Sequence, residues 1–210
     1  MITPLSLPFP PRFHFEHTIY SHGWCALFPF HVDTATRVLR YTMADARGST
    51  TDLILSPSGT TRATLSVEHR GRLSKARLQS SITAASDILH LALDLRPFYA
   101  RMEKDPVFAW IARLNAVRML RGATFFEDVV KMILTTNCSW SLTTQMNHRL
   151  LLHFGTGVGE NGKAFPEPEA IADSSEAFLR REVKLGYRAP FVLELANRIA
   201  KGELDIEAFR

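Results

Sequence analysis

The sequence predicts an α+β protein in two parts, a β-rich domain over residues 1–95 built on an antiparallel sheet and an all-helical part over residues 96–210. Residues 13–81 are rich in Thr, Val, Ile and Phe, in short runs cut by turn-forming residues, the composition of a pleated and half-buried sheet. From about Thr83 the apolar period changes from two to between three and four, the signature of a passage from strands to helices. At 210 residues the chain is long enough to bury its own core.

The strand candidates are residues 23–28, 51–55 and 61–67. In the last of these apolar and polar residues partly alternate, which fits a sheet with one wet face. Ser56-Pro57-Ser58-Gly59 reads as a hairpin turn between the second and third. Ile88, Leu91, Ala92 and Leu95 then line one face of a first helix, and Pro97 and Pro106 suit the first turns of later ones. Thr124-Phe125-Phe126-Glu127 has the spacing of a capping box, in which hydroxyl and carboxylate each satisfy a free backbone amide. Phe126, Val129, Val130, Ile133 and Leu134 form one apolar stripe of that helix, which is expected to end near Asn137. The next helix is expected to start at Ser141, bury Leu142, Met146, Leu150 and Phe154, and stop at Gly155 in the left-handed conformation glycine adopts cheaply. Asp173-Ser174-Ser175-Glu176 is a second capping signal, ahead of a helix closed by Gly186. Pro190 opens a last helix with Val192, Leu195, Ala196 and Ile199 inward and Gly202 at its end.

The formal charge of +4 permits a polyanionic partner without requiring one. Two distant cysteines, Cys25 and Cys138, with no apolar leader, point to a reducing cytoplasm and away from a disulfide framework. No run is apolar enough to make a membrane-spanning helix. Residues 157–162 repeat the glycine spacing of a dinucleotide-binding loop, but the strand before and the helix after that such a loop needs are not predicted, so they read as a connection. His14, His17, His22, Cys25 and His31 carry donors that zinc prefers, yet paired cysteines are lacking and the spacing is strand-like, so no metal is expected. A Gly-x-Ser-x-Gly elbow is missing, which leaves a serine hydrolase unsupported.

Two segments are more informative. Thr135-Thr136-Asn137-Cys138-Ser139-Trp140 is a polar cluster between two apolar helices, readable equally as a capped structural turn or as a functional one. Leu185-Gly186-Tyr187-Arg188-Ala189 puts an aromatic and a guanidinium directly after a helix-ending glycine. Such a pair either packs on a neighbour or enters a base stack and holds an unpaired base or phosphate.

Taken in order, Arg118-Met119-Leu120-Arg121, Phe125-Phe126-Glu127-Asp128-Val129-Val130-Lys131, the Thr135–Trp140 cluster, Phe165-Pro166-Glu167-Pro168 and the Gly186-Tyr187-Arg188 turn resemble the helix-hairpin-helix DNA glycosylases. The resemblance is to the branch of the 3-methyladenine and 8-oxoguanine enzymes. It covers residues 118–210, and the β-rich part more loosely as the TATA-binding-protein-like domain that precedes the helical core in that branch. It implies a base-excision repair enzyme that binds double-stranded DNA containing an alkylated or oxidised base, everts the damaged nucleotide and hydrolyses its N-glycosidic bond. Asn137 matches the residue that reaches into the gap, Tyr187, after Gly186, the wedge between bases, and Arg188 the reader of the orphaned base. Gly23 matches a pocket glycine of the 8-oxoguanine enzymes, although His22-Gly23-Trp24-Cys25 departs from their run around it. Leu142 stands where those enzymes place an arginine, and both departures shift the reading toward alkylated purines.

The family's hairpin, the lysine of some members and the shared aspartate follow the Gly-Tyr-Arg segment, so the resemblance implies no catalytic residue among these 210 and places the catalytic segment beyond Arg210. The chain is therefore expected to be part of a longer enzyme, monomeric when whole, without a cofactor, in the cytoplasm or at a bacterial nucleoid. The rival reading is a DNA-binding module without catalysis.

Overall fold

Five N-terminal segments pair into one sheet: β1 (Ile2–Pro8), β2 (Phe30–Asp33), β3 (Val38–Ala44), β4 (Thr50–Ser58) and β5 (Arg62–His69), in the order β1-β5-β4-β3-β2. They are seen in a computed structural model that describes residues 2–45, 47–59, 62–69, 73–157 and 162–210. The pairings β1 with β5, β4 with β5 and β2 with β3 are antiparallel, as the alternation predicted. One face is apolar because Leu53 and Leu55 of β4 stand opposite Val67 and Leu65 of β5, all fully buried.

Two expectations for this region are corrected. Pairing continues through Ser56↔Thr64 and Pro57↔Ala63 to Ser58↔Arg62, so residues 56–58 belong to β4 and not to a turn; residues 60 and 61, the latter expected to open a strand, lie outside the described residues. Residues 23–28 are not a strand: Gly23 takes φ 88, and a single 3-10 turn follows at Trp24–Ala26, closed by Ala26 N–H donating to the Gly23 carbonyl at 3.0 Å. The run buries Trp24 and Leu27, three apart, which is helical and not strand spacing.

The chain falls into two compact units, a first of Met1–Ala26, Phe30–Tyr41 and Thr51–Ala123, and a second of Leu27–Pro29, Thr42–Thr50 and Thr124–Arg210. Residues 96–123 thus belong with the β-rich part. The first unit holds α1 (Phe15–Ile19), α2 (Lys75–Ile88), α3 (Arg96–Met102) and α4 (Ala109–Arg113). Ser74 caps α2, its hydroxyl accepting from Arg77 N–H at 3.2 Å, and Ser81, Ala84, Ala85 and Ile88 form its buried face. The helix stops at Leu89 because His90 takes φ 51, so Leu91, Ala92 and Leu95 lie in the connection and not on a helical face. Buried Arg118 donates to the carbonyls of His90 and Leu93 in the connection that follows, the first of which also accepts from Leu93 N–H at 3.3 Å. Pro97 lies in the first turn of α3; Pro106 precedes α4 rather than opening it.

The second unit contains α5 (Phe125–Thr135), α6 (Trp140–Phe154), the short strands β6 (Thr156–Gly157) and β7 (Lys163–Ala164), α7 (Pro168–Ala172), α8 (Glu176–Arg181) and α9 (Ala189–Ala200). Its core joins Phe126, Val130 and Leu134 of α5 to Met146 and Leu150 of α6 and to Val192 and Ala196 of α9. Thr124 caps α5 as predicted, accepting from Glu127 N–H at 3.1 Å. The carboxylate half of the box is supplied differently. Glu127 pairs with Lys131 at 2.5 Å, both side chains fully buried, while Glu207 accepts from Phe125 and Phe126 N–H at 2.8–3.1 Å.

Ser139 caps α6, which begins at Trp140 rather than Ser141 and so buries Thr143 and Asn147 with Met146 and Leu150, leaving Leu142 38% exposed. Gly155 is not left-handed: φ is −66 and ψ 142. Glycine fits there for space, since a Cβ would lie 2.6 Å from the Leu151 carbonyl oxygen and 2.8 Å from that of Ala164. Of the glycine-spaced run, residues 158–161 lie outside the described residues, and Gly157 pairs with Lys163 in the β6–β7 ladder. Ser175 caps α8, Pro190 lies in the first turn of α9, and Gly202 follows α9 at φ 71. Among the described residues no helix is long and apolar enough to cross a membrane.

Candidate nucleic-acid interface

Two turns of the second unit meet at one residue, Thr136. The first joins α5 to α6. Asn137 adopts φ 47 there, a left-handed conformation that a short polar side chain tolerates better than most. Cys138 Sγ donates to the Leu134 carbonyl at 3.3 Å, and Ser139 supplies the cap. The capping role therefore falls to Ser139 and not to Asn137. Asn137 is exposed, and its amide makes no hydrogen bond within the described residues.

The second turn is the 3-10 turn Gly186–Arg188, which links α8 to α9. Lys184 and Gly186 both have positive φ, 64 and 61, and reverse the chain around the fully buried Leu185. Nothing lies within 4 Å of a Cβ built on Gly186, so backbone handedness and not space suits glycine to that position. Arg188 N–H donates to the Leu185 carbonyl at 3.2 Å and closes the turn.

A carbonyl at the end of α5 has no partner within the helix and needs a donor from elsewhere. For Thr136 the second turn supplies two. Tyr187 Oη donates to the Thr136 carbonyl at 3.1 Å and lies 3.1 Å from its hydroxyl, and Arg188 Nη2 donates to the same carbonyl. The guanidinium packs over the Tyr187 ring at 4.5 Å, and its Nη1 donates to the Leu185 carbonyl at 3.5 Å. Tyr187 remains 48% exposed, whereas Arg188 is 4% exposed and its Nε is buried without a partner.

Asn137, Gly186, Tyr187 and Arg188 are thus brought together across some fifty residues of sequence, with exposed Asn137 next to Thr136 in the chain and the exposed Tyr187 ring hydrogen-bonded to Thr136 through its hydroxyl. Arg188 differs from its expected placement: the guanidinium is committed to protein carbonyls and faces inward. Gly23 lies in the first unit, at the head of its one-turn helix. Thr136 itself was not singled out from the sequence; no local signal marks a residue whose partners are 51 and 52 positions away. Trp140, 43% exposed, and Leu142 add apolar surface on the first turn of α6 beside these groups.

The fold built from these elements is that of the DNA glycosylases. A 3-methyladenine DNA glycosylase from Archaeoglobus fulgidus superposes with a TM-score of 0.72 at 18% identity, over 97% of this chain and 68% of that one. The 8-oxoguanine glycosylase/lyase of Clostridium acetobutylicum, in its apo form, superposes with a TM-score of 0.70 at 17% identity, over 99% of this chain and 69% of that one. In sequence the chain is 26% identical over 140 aligned residues to the probable N-glycosylase/DNA lyase of Methanothermobacter thermautotrophicus, covering 57% of this chain and 45% of that protein. No protein-family model matches the chain. The resemblance drawn from the ordered motifs is borne out by these relatives, and the chain spans less than half the length of the archaeal lyase it matches.

Proposed function

We propose that this chain belongs to a DNA base-excision glycosylase and forms the part that grips the duplex where a damaged nucleotide has been everted. The observation that carries the reading is the junction at Thr136, which sets exposed Asn137 beside exposed Tyr187. Eversion leaves a gap in the stack and a base without its partner. A ring can stack in that gap, and an amide presents both donors and an acceptor to the unpaired base edge. The likeness in fold to enzymes that remove 8-oxoguanine and 3-methyladenine supports a damaged base as substrate. Leu142 in place of an arginine favours alkylated purines within that class. The partner is double-stranded DNA, approached by a chain of net charge +4, in the cytoplasm or at the nucleoid.

The test is fluorescence anisotropy of the whole protein with three probes: a duplex carrying an abasic-site analogue, the same duplex undamaged, and the single strand. Preference for the abasic duplex by about tenfold, or 1.4 kcal/mol, is expected. Equal affinity for damaged and undamaged duplex would end this reading. Release of base from methylated duplex in preference to 8-oxoguanine duplex is expected in a parallel assay, and selective binding with no release of either base would mark a DNA-binding module instead.

A further inference from the structure

The buried guanidinium of Arg188 does not suit direct contact with a base, yet its hydrogen bond ends one residue from Asn137. We infer that Arg188 is a positioning residue that acts on DNA through Asn137, an inference that rests on the DNA reading above. The oxygen it holds, with Tyr187 Oη, is the carbonyl of the 136–137 peptide, whose N–H belongs to Asn137. Holding that oxygen restrains the plane of the peptide, one of the two planes whose relative rotation is φ of Asn137, here 47 and on the unfavourable side of the map. Such a conformation persists where surrounding contacts over-determine it, and two donors on one oxygen do so.

The choice of side chain points the same way. A buried charge is expensive to desolvate, and here Nε is left without a partner beside Met146 and Leu185. An apolar side chain would fill the same space without that desolvation. What the guanidinium supplies, and methionine does not, is the simultaneous hold on the carbonyls of Thr136 and Leu185. The opposed arrangement, exposed Asn137 whose side-chain amide makes no hydrogen bond within the described residues and buried Arg188 bonded to the peptide behind it, assigns contact to the first and aim to the second.

The experiment is a double-mutant cycle on the whole protein, read as Kd for the abasic-analogue duplex and for undamaged duplex. Arg188→Met is expected to weaken binding to the abasic duplex by about tenfold, as Asn137→Ala does, with little effect on undamaged duplex. In the double variant the loss should hardly exceed that of either single change, because both remove one interaction. Arg188→Lys, which keeps one donor, should recover part of the affinity, and Tyr187→Phe, which removes the second donor without emptying buried space, should lose a smaller part. The backbone 13C shifts of Asn137, measured without DNA, should leave the left-handed range in Arg188→Met and stay in it in Arg188→Lys. Multiplying losses in the double variant, or a fall in melting temperature with unchanged abasic-duplex Kd, would overturn the inference. So would unmoved Asn137 shifts, whatever the DNA result. Failure of the unmodified protein to prefer abasic duplex defeats the DNA reading itself and is seen before any variant is made.

Discussion

Replacing Tyr187 by alanine separates a wedge from a packing residue. In the protein the ring lies 4.5 Å from the Arg188 guanidinium and the hydroxyl bonds the Thr136 carbonyl at 3.1 Å, while 48% of the residue stays exposed. Losing a half-exposed cation–π contact costs about 0.5–1 kcal/mol and losing one net hydrogen bond about 0.5–1.5 kcal/mol, so Tyr187→Ala should destabilise by roughly 1–2.5 kcal/mol. On DNA the stakes are different, because stacking of an aromatic ring on a base is worth about 1–3 kcal/mol, or roughly five- to 150-fold in affinity. Tyr187→Phe keeps the ring and removes only the hydroxyl. Anisotropy titrations with abasic duplex and single strand, beside urea denaturation, read both quantities. Tyr187→Ala should lose abasic-duplex affinity over the five- to 150-fold range with single-strand affinity little changed, and Tyr187→Phe should retain most of it. A destabilised alanine variant with unaltered lesion affinity would refute the assignment.

Four further outcomes follow from the packing. Glu207→Ala should destabilise by about 1–2 kcal/mol, because the amides of Phe125 and Phe126 lose the carboxylate that caps α5; a loss below a few tenths in urea melts would contradict that role. Lys131→Met should cost about 3–5 kcal/mol by removing the buried cation paired with the Glu127 carboxylate, and Glu127→Leu with Lys131→Met should recover most of it, which denaturation of the single and double variants checks. Gly155→Ala has an ordinary φ of −66 but no room for its methyl, so a destabilisation of about 1–3 kcal/mol is expected, and a stabilised variant would show that the turn yields freely. His14 sits below its ordinary value of 6.5, first because burial disfavours its charge and then because His17, stacked at 3.7 Å, repels it. The unfolded chain therefore binds the proton more readily, so its contribution to stability is full above pH 6.5 and is lost as pH falls through the lowered folded value. Melting temperature against pH should slope upward across that window, and His14→Asn, which retains an acceptor for His17 N–H, should flatten the slope.

What the sequence determined by itself are the features set by neighbours a few residues apart. The alternation in β5 declared its buried face, Thr124 and the run Asp173-Ser174-Ser175-Glu176 declared two helix starts, and Pro97 and Pro190 the first turns of two more, because each acts on amides or dihedrals within one helical turn. Asn137, Gly186, Tyr187 and Arg188 could be singled out as residue types in unusual places, and their order along the chain carried the family resemblance. Tertiary structure decided what those residues face. It ended α2 at His90, recast residues 23–28 as a 3-10 turn, and gave the second half of the α5 cap to Glu207, some eighty residues from the helix it caps. It also turned Arg188 inward while leaving the Tyr187 ring half-exposed, because the Thr136 carbonyl, orphaned at the end of α5, drew its donors from Tyr187 and Arg188, 51 and 52 positions away.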